Sequence, residues 1–454
     1  MTSNNPHTLG TESIGKLLIQ YSIPAIIGMT IVSLYHIIDS IFIGHGVGAI
    51  AISGLAITFP LMNLAMAFCT LISSGASTLA SIRLGQKDLK GATDVLGNAL
   101  MICLINSILL SILSYFFLDK ILIYFGASEA TLPYARDFMR VVLAGLPISH
   151  VMIGMNNIMR ATGYPKKAML TSVVSVLTNV ILAPIFIFYF HLGISGAAIA
   201  TLLAQSVAMV WVLNHFMQKS SYVHFSRSFW KIKPVIVGNI FSIGMSPFLM
   251  NVCSCVIIVV INNNLQKYGG DFAVGAYGII NRLLTFFFMV VLGLSMGMQP
   301  IAGYNYGALK MQRVKQTLKL GVITGILITG VGAFFFELFP HVISGFFTGN
   351  DELISITAPG LRICALMLPV VGCQVVIANF FQSIGKAKIS VMLGLSRQLI
   401  YFLPLLLILP GYFGQNGIWI AIPVSDFLGF VTTIICLSVY MRNQSTPTPE
   451  LSDK

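Results

Sequence analysis

The stretch ISSGASTLASIRLGQKDLKGA, residues 72–92, decides the fold because the chain contains a second copy of its pattern. The copy is GLSMGMQPIAGYNYGALKMQ, residues 293–312. Gly75 and Gly85 of the first stretch have counterparts at the same separation in the second, at Gly297 and Gly307. Self-similarity over such a distance predicts a chain built from two related halves.

Other positions repeat with nearly the same offset. They are Gly163 and Lys166 with Gly385 and Lys388, Pro24 with Pro247, and SGAAIAT (195–201) with NGIWIAI (416–422). Each half holds about six apolar segments, so an even number of membrane crossings separates the copies. We therefore predict two halves with the same orientation, related by an axis along the membrane normal.

The composition excludes a water-soluble globular enzyme. Of 454 residues, 56% are hydrophobic and 9% are charged, and the mean hydropathy is +0.88. Soluble domains carry about 25% charged residues. The net charge of +12 is divided among short clusters between apolar segments, which argues against a nucleic-acid surface. The chain is predicted to be an all-α polytopic membrane protein with the lipid bilayer as its surroundings.

Twelve segments are long and apolar enough to cross a bilayer, which requires about 20 residues each. The predicted spans are 15–38, 50–80, 95–118, 137–158, 168–190, 195–217, 235–262, 272–300, 317–340, 359–382, 390–410 and 417–441. Lysine and arginine are concentrated in alternate connections, for example Arg83, Lys87 and Lys90. By the positive-inside rule these loops and both termini are predicted to be cytoplasmic.

Ionisable groups within the spans are the candidates for function, because a charge in hydrocarbon is costly. Asp39 is predicted to close the first helix, with His36 on the same helical face. We rank Asp39 first as a group that exchanges a proton or binds a cation, although a solvated residue at the helix end is the alternative. Pro24 can bend this helix because it removes a backbone hydrogen bond.

The second half supplies secondary candidates. Asp426 and Arg397 lie in the last two spans and can form either a static ion pair or a coupling site. Arg282 in the eighth span can attract an anionic group.

Polar and sulfur-containing side chains within the first-half spans are candidates for a substrate cavity, since methionine repacks easily. We assign Tyr35, His36, Met152, Asn156 and Gln205 to this cavity. The chain lacks HExxH, Walker A and GxSxG sequences, so neither an enzyme nor a built-in ATPase is expected and no cofactor is implied. An ion gradient is then the expected source of energy.

Five segments together resemble the multidrug and toxic compound extrusion (MATE) family, especially its DinF-like and MepA-like branches. They are IDSIFIGHGVGAIAISGLAITFP (38–60), RLGQKDLKGA (83–92), NNIMRATGYPKKAML (156–170), GMQPIAGYNYGA (297–308) and FFQSIGKAKIS (380–390). The resemblance extends over nearly the whole chain. It implies two six-helix lobes in a V shape, and export of amphipathic, often cationic compounds in exchange for protons or sodium.

The resemblance also assigns roles to residues. Asp39 matches the acid of the family's first helix, and Pro24 matches the proline at which that helix bends. Asn179 in LTNVILAP and Thr201 match polar residues around the acid. Ala183 departs from the pattern, because many relatives have an aspartate there. The loss favours protons over sodium as the coupling ion, although carbonyls, water and Asn179 can still complete a sodium site beside Asp39.

The sequence therefore predicts an ion-coupled exporter that functions as a monomer in the plasma membrane of a bacterium, with small organic substrates. A flippase or exporter of a lipid-linked or amphipathic metabolite on the same scaffold is the alternative. The predicted organisation is an N-terminal tail (1–14), an N-lobe (15–217), a basic linker (218–234), a C-lobe (235–441) and a C-terminal tail (442–454).

Overall fold

The computed structural model describes the backbone of residues 6–46, 49–125, 127–218, 221–225, 231–347 and 351–443. Side chains are described in the same ranges except at residues 6–7, 32–46, 49–53, 56, 262, 266, 271–272, 274 and 443. Within these ranges the chain is helical with turns and contains no strand.

Fifteen α-helices are described, and most of them are built from apolar runs. They are α1 (Ile14–Gly46), α2 (Ala49–Gly85), α3 (Leu89–Phe116), α4 (Leu118–Tyr124), α5 (Leu132–Ala161), α6 (Pro165–Pro184), α7 (Gly193–Met217), α8 (Pro234–Gly307), α9 (Met311–Leu338), α10 (Pro340–Gly345), α11 (Asp351–Ala365), α12 (Leu368–Ser383), α13 (Ala387–Leu395), α14 (Leu403–Phe413) and α15 (Gln415–Asn443). A short 3₁₀ helix, Pro6–Gly10, precedes α1.

Eleven stretches of the described helices are long and apolar enough to cross a membrane. The pair α11 and α12, bent by 49°, supplies a twelfth crossing if it is counted as one broken span. This confirms the predicted all-α membrane fold. The chain is also helical from Pro234 to Gly307, where two spans were predicted, and Gly270 breaks this run because its φ of 65° and ψ of −163° are not helical.

The prediction that Asp39 closes the first helix is wrong. Helix α1 continues to Gly46, because the residues that follow Asp39 are again apolar and contain no proline. Asp39 therefore lies within a helix. The alternative, in which Asp39 is a solvated residue at the helix end, loses its helix-end position.

The repeat is visible in the backbone of the loops. Lys87 and Leu309, which are 222 residues apart, both have positive φ angles, 62° and 57°. Gly163 and Gly385 share the same offset and have φ angles of 107° and 75°. Leucine and lysine rarely adopt this conformation. Its occurrence at matching positions shows that the two halves fold in the same way locally.

Packing divides the chain into two compact units. The first comprises Met1–Cys255, Met289–Gly321 and Gln382–Ala387, and the second comprises Val256–Phe288, Val322–Phe381 and Lys388–Lys454. The boundaries of these units are set by close packing and do not coincide with those of the two repeats. The predicted lobe boundaries therefore stay a prediction. The apolar core of the first unit includes Leu146 and Ala183, and that of the second includes Phe336 and Trp419.

Glycines in the first unit bring α2 and α8 into backbone contact. A Cβ on Gly85 would lie 2.0 Å from the carbonyl oxygen of Tyr304, and a Cβ on Gly307 would lie 2.1 Å from that of Ile82. The repeat makes Gly85 equivalent to Gly307 and Ile82 equivalent to Tyr304, so each contact is the symmetry counterpart of the other. Only glycine permits such an approach.

A polar contact lies on the same axis. Gln299 on α8 donates to the hydroxyl of Ser77 on α2 over 3.0 Å, and these two residues are also repeat equivalents. Hydrogen bonds between polar side chains stabilise helix pairs in membranes. The crossing of α2 and α8 is therefore the local pseudo-twofold axis of the first unit.

The segments that precede the two repeats are held by hydrogen bonds within the first unit. Leu9 lies before α1, and its carbonyl accepts hydrogen bonds from Asn305 and Arg313 of the second repeat. Lys233 lies before α8, and its backbone N–H donates to the Asn98 side chain of the first repeat. Each repeat thus holds the segment that leads into the other.

We expect Gly244→Ala to destabilise the protein. A Cβ there would lie 1.7 Å from the carbonyl oxygen of Leu71, and a backbone atom cannot move aside as a side chain can. Overpacking of this kind costs about 1–3 kcal/mol. Gly238→Ala in the same helix is the control, because its Cβ would meet no atom within 4 Å. Thermal unfolding in detergent should show a lower melting temperature only for Gly244→Ala. Equal melting temperatures would contradict the close approach.

Candidate functional site

An amide and a hydroxyl group meet between α6 and α7. The Nδ2 of Asn179 donates to the Oγ1 of Thr201 over 3.1 Å, and the Thr201 hydroxyl donates to the carbonyl of Ala197 over 3.0 Å. Asn179 is buried, and its Oδ1 has no hydrogen-bond partner among the described residues. The structure therefore brings together two of the three predicted ion-coupling residues and leaves an acceptor oxygen unused.

Ala183 lies one helical turn after Asn179 and is fully buried. It belongs to the apolar core of the first unit together with Leu146, Ile187 and Ala197. The methyl group fills the place in which many MATE proteins carry a carboxylate, according to the resemblance. In this chain that position supplies packing and no ligand atom.

The predicted ion-coupling residue Asp39 and the cavity residues Tyr35 and His36 lie outside the described side chains. Their backbone is part of α1, and α1 packs against α6, with a Cβ on Gly28 lying 3.8 Å from the Ser172 hydroxyl. Pro24 is buried inside α1. Two residues earlier, the Ser22 hydroxyl donates to the carbonyl of Leu294 on α8 over 3.2 Å.

The remaining cavity candidates lie on α5 and α7. Ser149 donates a short hydrogen bond to the Oε1 of Gln205, which ties α5 to α7. Asn156 is buried and its Oδ1 has no partner among the described residues, while Met152 is half-buried. Gln205 is thus paired, and Asn156 keeps an acceptor oxygen available.

His150 is a polar residue of α5 that the sequence analysis missed. It is 1% exposed, and neither ring nitrogen has a partner among the described residues. The signal was present, since an ionisable residue within an apolar span is a functional candidate by default.

The secondary candidates of the second half separate into a pair and a single residue. Arg397 Nη1 donates to the Oδ1 of Asp426 over 2.8 Å, and Gln374 donates to the backbone carbonyl of Asp426. Arg282 on α8 is exposed and takes part in none of these contacts. The structure thus places Arg397 and Asp426 in one site and does not add Arg282 to it.

Groups of three or more histidine, cysteine, aspartate or glutamate side chains that could hold a metal ion do not occur among the described residues. The first-half site offers neutral oxygens instead, from Asn179 and Thr201. Buried amide and hydroxyl groups can orient a water molecule, a proton-carrying carboxyl group or a weakly held cation.

Comparison with known proteins shows what the chain is similar to. The MatE family model matches residues 24–185 and 242–407, one segment in each repeat. Multidrug export protein MepA of Staphylococcus haemolyticus is 28% identical over 436 residues, which cover 96% of this chain and 95% of that protein. The MepA protein of Staphylococcus aureus is 26% identical over 437 residues, with 96% of each chain covered.

Solved structures show the same similarity. A structure of the MATE multidrug transporter DinF-BH is 34% identical, with a TM-score of 0.88 and coverage of 95% of this chain and 96% of that one. An outward-facing MATE family transporter of the MOP superfamily is 23% identical, with a TM-score of 0.92, and covers 98% of this chain and 100% of its own. The latter likeness shows the fold alone.

We expect Thr201→Val to destabilise the first unit, because valine has the shape of threonine and removes the acceptor of the Asn179 amide. A buried donor left without its partner costs about 1–3 kcal/mol. Thr201→Ser keeps the hydroxyl and is the control. Thermal unfolding in detergent should show a lower melting temperature for Thr201→Val than for Thr201→Ser. If Thr201→Val is more stable than Thr201→Ser, the hydrogen bond between Asn179 and Thr201 does not stabilise the first unit.

Proposed function

Because the chain belongs to the MatE family, we propose that it is a secondary active antiporter that exports amphipathic, often cationic organic compounds in exchange for protons or sodium ions. The observation that carries the proposal is the match of both repeats to the family, with relatives named as multidrug exporters along the whole chain. Each chain carries both repeats, so a monomer suffices for transport. The setting is the plasma membrane of a bacterium, with both termini in the cytoplasm.

Asp39 is the proposed coupling group. Helices α1 and α6 are both predicted to begin at the cytoplasmic face, so they run parallel. Asp39 follows Gly28 by eleven residues, and Ala183 follows Ser172 by the same number. From the contact of Gly28 with Ser172 and a rise of about 1.5 Å per residue, we expect Asp39 and Ala183 to lie at the same height. The Asn179 amide then lies one turn away from the level of the acid.

A bend of α1 at Pro24 would couple ion binding to a change in the shape of the first half. Ser22 is anchored to α8 on one side of the proline, and Asp39 lies on the other side. A bend at Pro24 moves the part of α1 that carries Asp39 and leaves the anchored turn in place. Protonation of Asp39, or ion binding beside it, would favour one of two α1 shapes and release the substrate outward, with Tyr35, His36, Met152, Asn156 and Gln205 lining the cavity.

Protons are the favoured coupling ion. Sodium requires several oxygen ligands, whereas a proton needs one titratable group. Ala183 supplies no oxygen, and Thr201 already shares its hydroxyl with Asn179 and Ala197. The flippase alternative requires a strongly cationic cavity, and the pairing of Arg397 with Asp426 lowers the net charge there.

The test of the function is efflux from proteoliposomes that contain wild type or Asp39→Asn, driven separately by a pH gradient and by a sodium gradient. Ethidium and norfloxacin serve as substrates. We expect export to follow the pH gradient and to fall to the level of empty vesicles in Asp39→Asn. Asp137→Asn, the same change at an exposed position of α5, should export as wild type does. Full export by a correctly inserted Asp39→Asn protein would disprove the coupling role.

Ala183→Asp should shift coupling towards sodium. The new carboxylate would lie at the height of Asp39 and one turn from Asn179, so that two acids and an amide oxygen could surround the ion. Sodium-driven ethidium efflux, measured against wild type, should increase. Ala183→Asn is the neutral control and should not show the increase. If Ala183→Asp inserts normally and shows no greater response to sodium, the acid at position 39 is not close to this site.

A further inference from the structure

A charged pair lies deep within the second unit. Arg397 and Asp426 are each at least ten residues, about 15 Å, from either end of the spans Ala387–Phe413 and Gln415–Arg442. Asp426 is almost fully buried, with 5% of its side chain exposed, whereas 24% of the Arg397 side chain is exposed. The arginine is therefore the accessible member of the pair.

Arg397 uses only part of its hydrogen-bonding capacity. A single bond, from Nη1 to Oδ1, joins it to Asp426, and its other donors reach no acceptor among the described residues. By contrast, Arg136 binds Asp119 in the same chain through two bonds of 2.7 and 2.9 Å. A guanidinium group has five N–H donors in a planar arrangement that fits two carboxylates as readily as one.

The packed part of Arg397 is its aliphatic stem. A Cβ on Gly429 would lie 3.1 Å from Cγ and 3.2 Å from Cβ of Arg397, so the aliphatic stem is packed closely against α15. Hydrocarbon cannot satisfy the free N–H groups at this depth. A guanidinium group with unused donors at this depth is therefore expected to face a polar, water-accessible cavity rather than lipid.

The surroundings hold this group in place. Gln374 on α12 binds the backbone of Asp426, which fixes the turn of α15 that carries the carboxylate. Arg397 itself belongs to the π-helical segment Ser396–Phe402, and π-helical turns inside α-helices are frequent at functional sites. The guanidinium group is thus preorganised before any ligand arrives.

The first repeat has no equivalent charge. The offset of the matching loops pairs Arg397 with Ser175, and the offset of SGAAIAT and NGIWIAI pairs Asp426 with Gln205. Both counterparts are neutral, and Gln205 binds Ser149 on α5. The charged pair is a property of the second half alone, and the fold does not require it.

We propose that Arg397 is a specificity-determining residue that binds the carboxylate of zwitterionic or anionic organic substrates, with Asp426 as the positioning residue that holds it. The inference rests on the proposed export function. A substrate carboxylate takes the donors that Asp426 leaves unused, so the ion pair stays intact and no proton transfer is needed. Substrates that lack an acidic group do not use this residue.

Two rhodamine dyes that differ only in one group test this proposal in proteoliposomes. Rhodamine 110 has a free carboxylate, and rhodamine 123 is its methyl ester. The variants are Arg397→Gln, Arg397→Lys and the double change Arg397→Gln with Asp426→Asn. The double change avoids a buried carboxylate without a partner, which by itself destabilises a protein strongly. Arg136→Gln, which breaks the exposed pair with Asp119, is the control.

We expect the double variant to lower export of the acid relative to the ester about tenfold, which corresponds to about 1.4 kcal/mol. Export of the ester should stay within about twofold of wild type, and Arg397→Lys should lie between wild type and Arg397→Gln for the acid. A merely structural pair would change both dyes together. An unchanged acid-to-ester ratio in a well-inserted double variant would overturn the proposal.

Two wild-type results are also decisive. If the wild type exports the ester and not the acid, the carboxylate site is disproved while the export function stands. If the wild type exports neither dye nor ethidium under either gradient, the export function itself fails, and this inference fails with it.

Discussion

Helices α2 and α8 approach so closely that backbone atoms of one meet backbone atoms of the other, and the rest of the first unit is arranged around that contact. Gly85 and Gly307 permit it from the two sides, and Gln299 and Ser77 add a hydrogen bond on the same axis. In a bilayer no hydrophobic force drives helices together, so close packing of small residues and a few polar contacts must do so. The segments around Leu9 and Lys233 extend the tie between the repeats by binding the opposite one.

The two repeats share a backbone and differ in the chemistry that they carry. The first half contains neutral amide and hydroxyl groups, and acceptor oxygens of Asn179 and Asn156 have no partner among the described residues. The second half contains the ion pair of Arg397 and Asp426, in which the other donors of the arginine bind no acceptor in the described part of the chain. In this account the first half binds the coupling ion, and the second half selects substrates by their charge. One duplicated scaffold would then separate ion coupling from substrate specificity.

Much of the fold could be predicted because glycine spacing and long apolar runs are strong signals. The offset between Gly75 and Gly297 predicted two equivalent halves, and the positive φ angles of Lys87 and Leu309 confirm it where no glycine marks the site. The bend between α11 and α12 and the extension of α1 to Gly46 were not predicted, since apolar composition does not specify where a helix breaks.

The sites were less predictable, because contacts between distant residues depend on the packing of several helices. The sequence predicted that Arg397 and Asp426 can form an ion pair, and the two side chains are paired in the structure. It also nominated Gln205 for a substrate cavity without indicating its partner Ser149 on another helix. His150 was missed although its position within a span is visible in the sequence, and the role of Arg282, whose side chain is exposed, stays a prediction.

The central claim is that an ion and an organic substrate oppose each other in binding to this protein. Equilibrium binding of rhodamine 123 to the purified wild type, measured by fluorescence polarisation over a series of pH values and sodium concentrations, tests it most directly. Linkage requires that an ion which weakens substrate binding is itself released by the substrate. We predict that affinity falls as the proton concentration rises and changes little with sodium. An affinity independent of both ions would contradict the account.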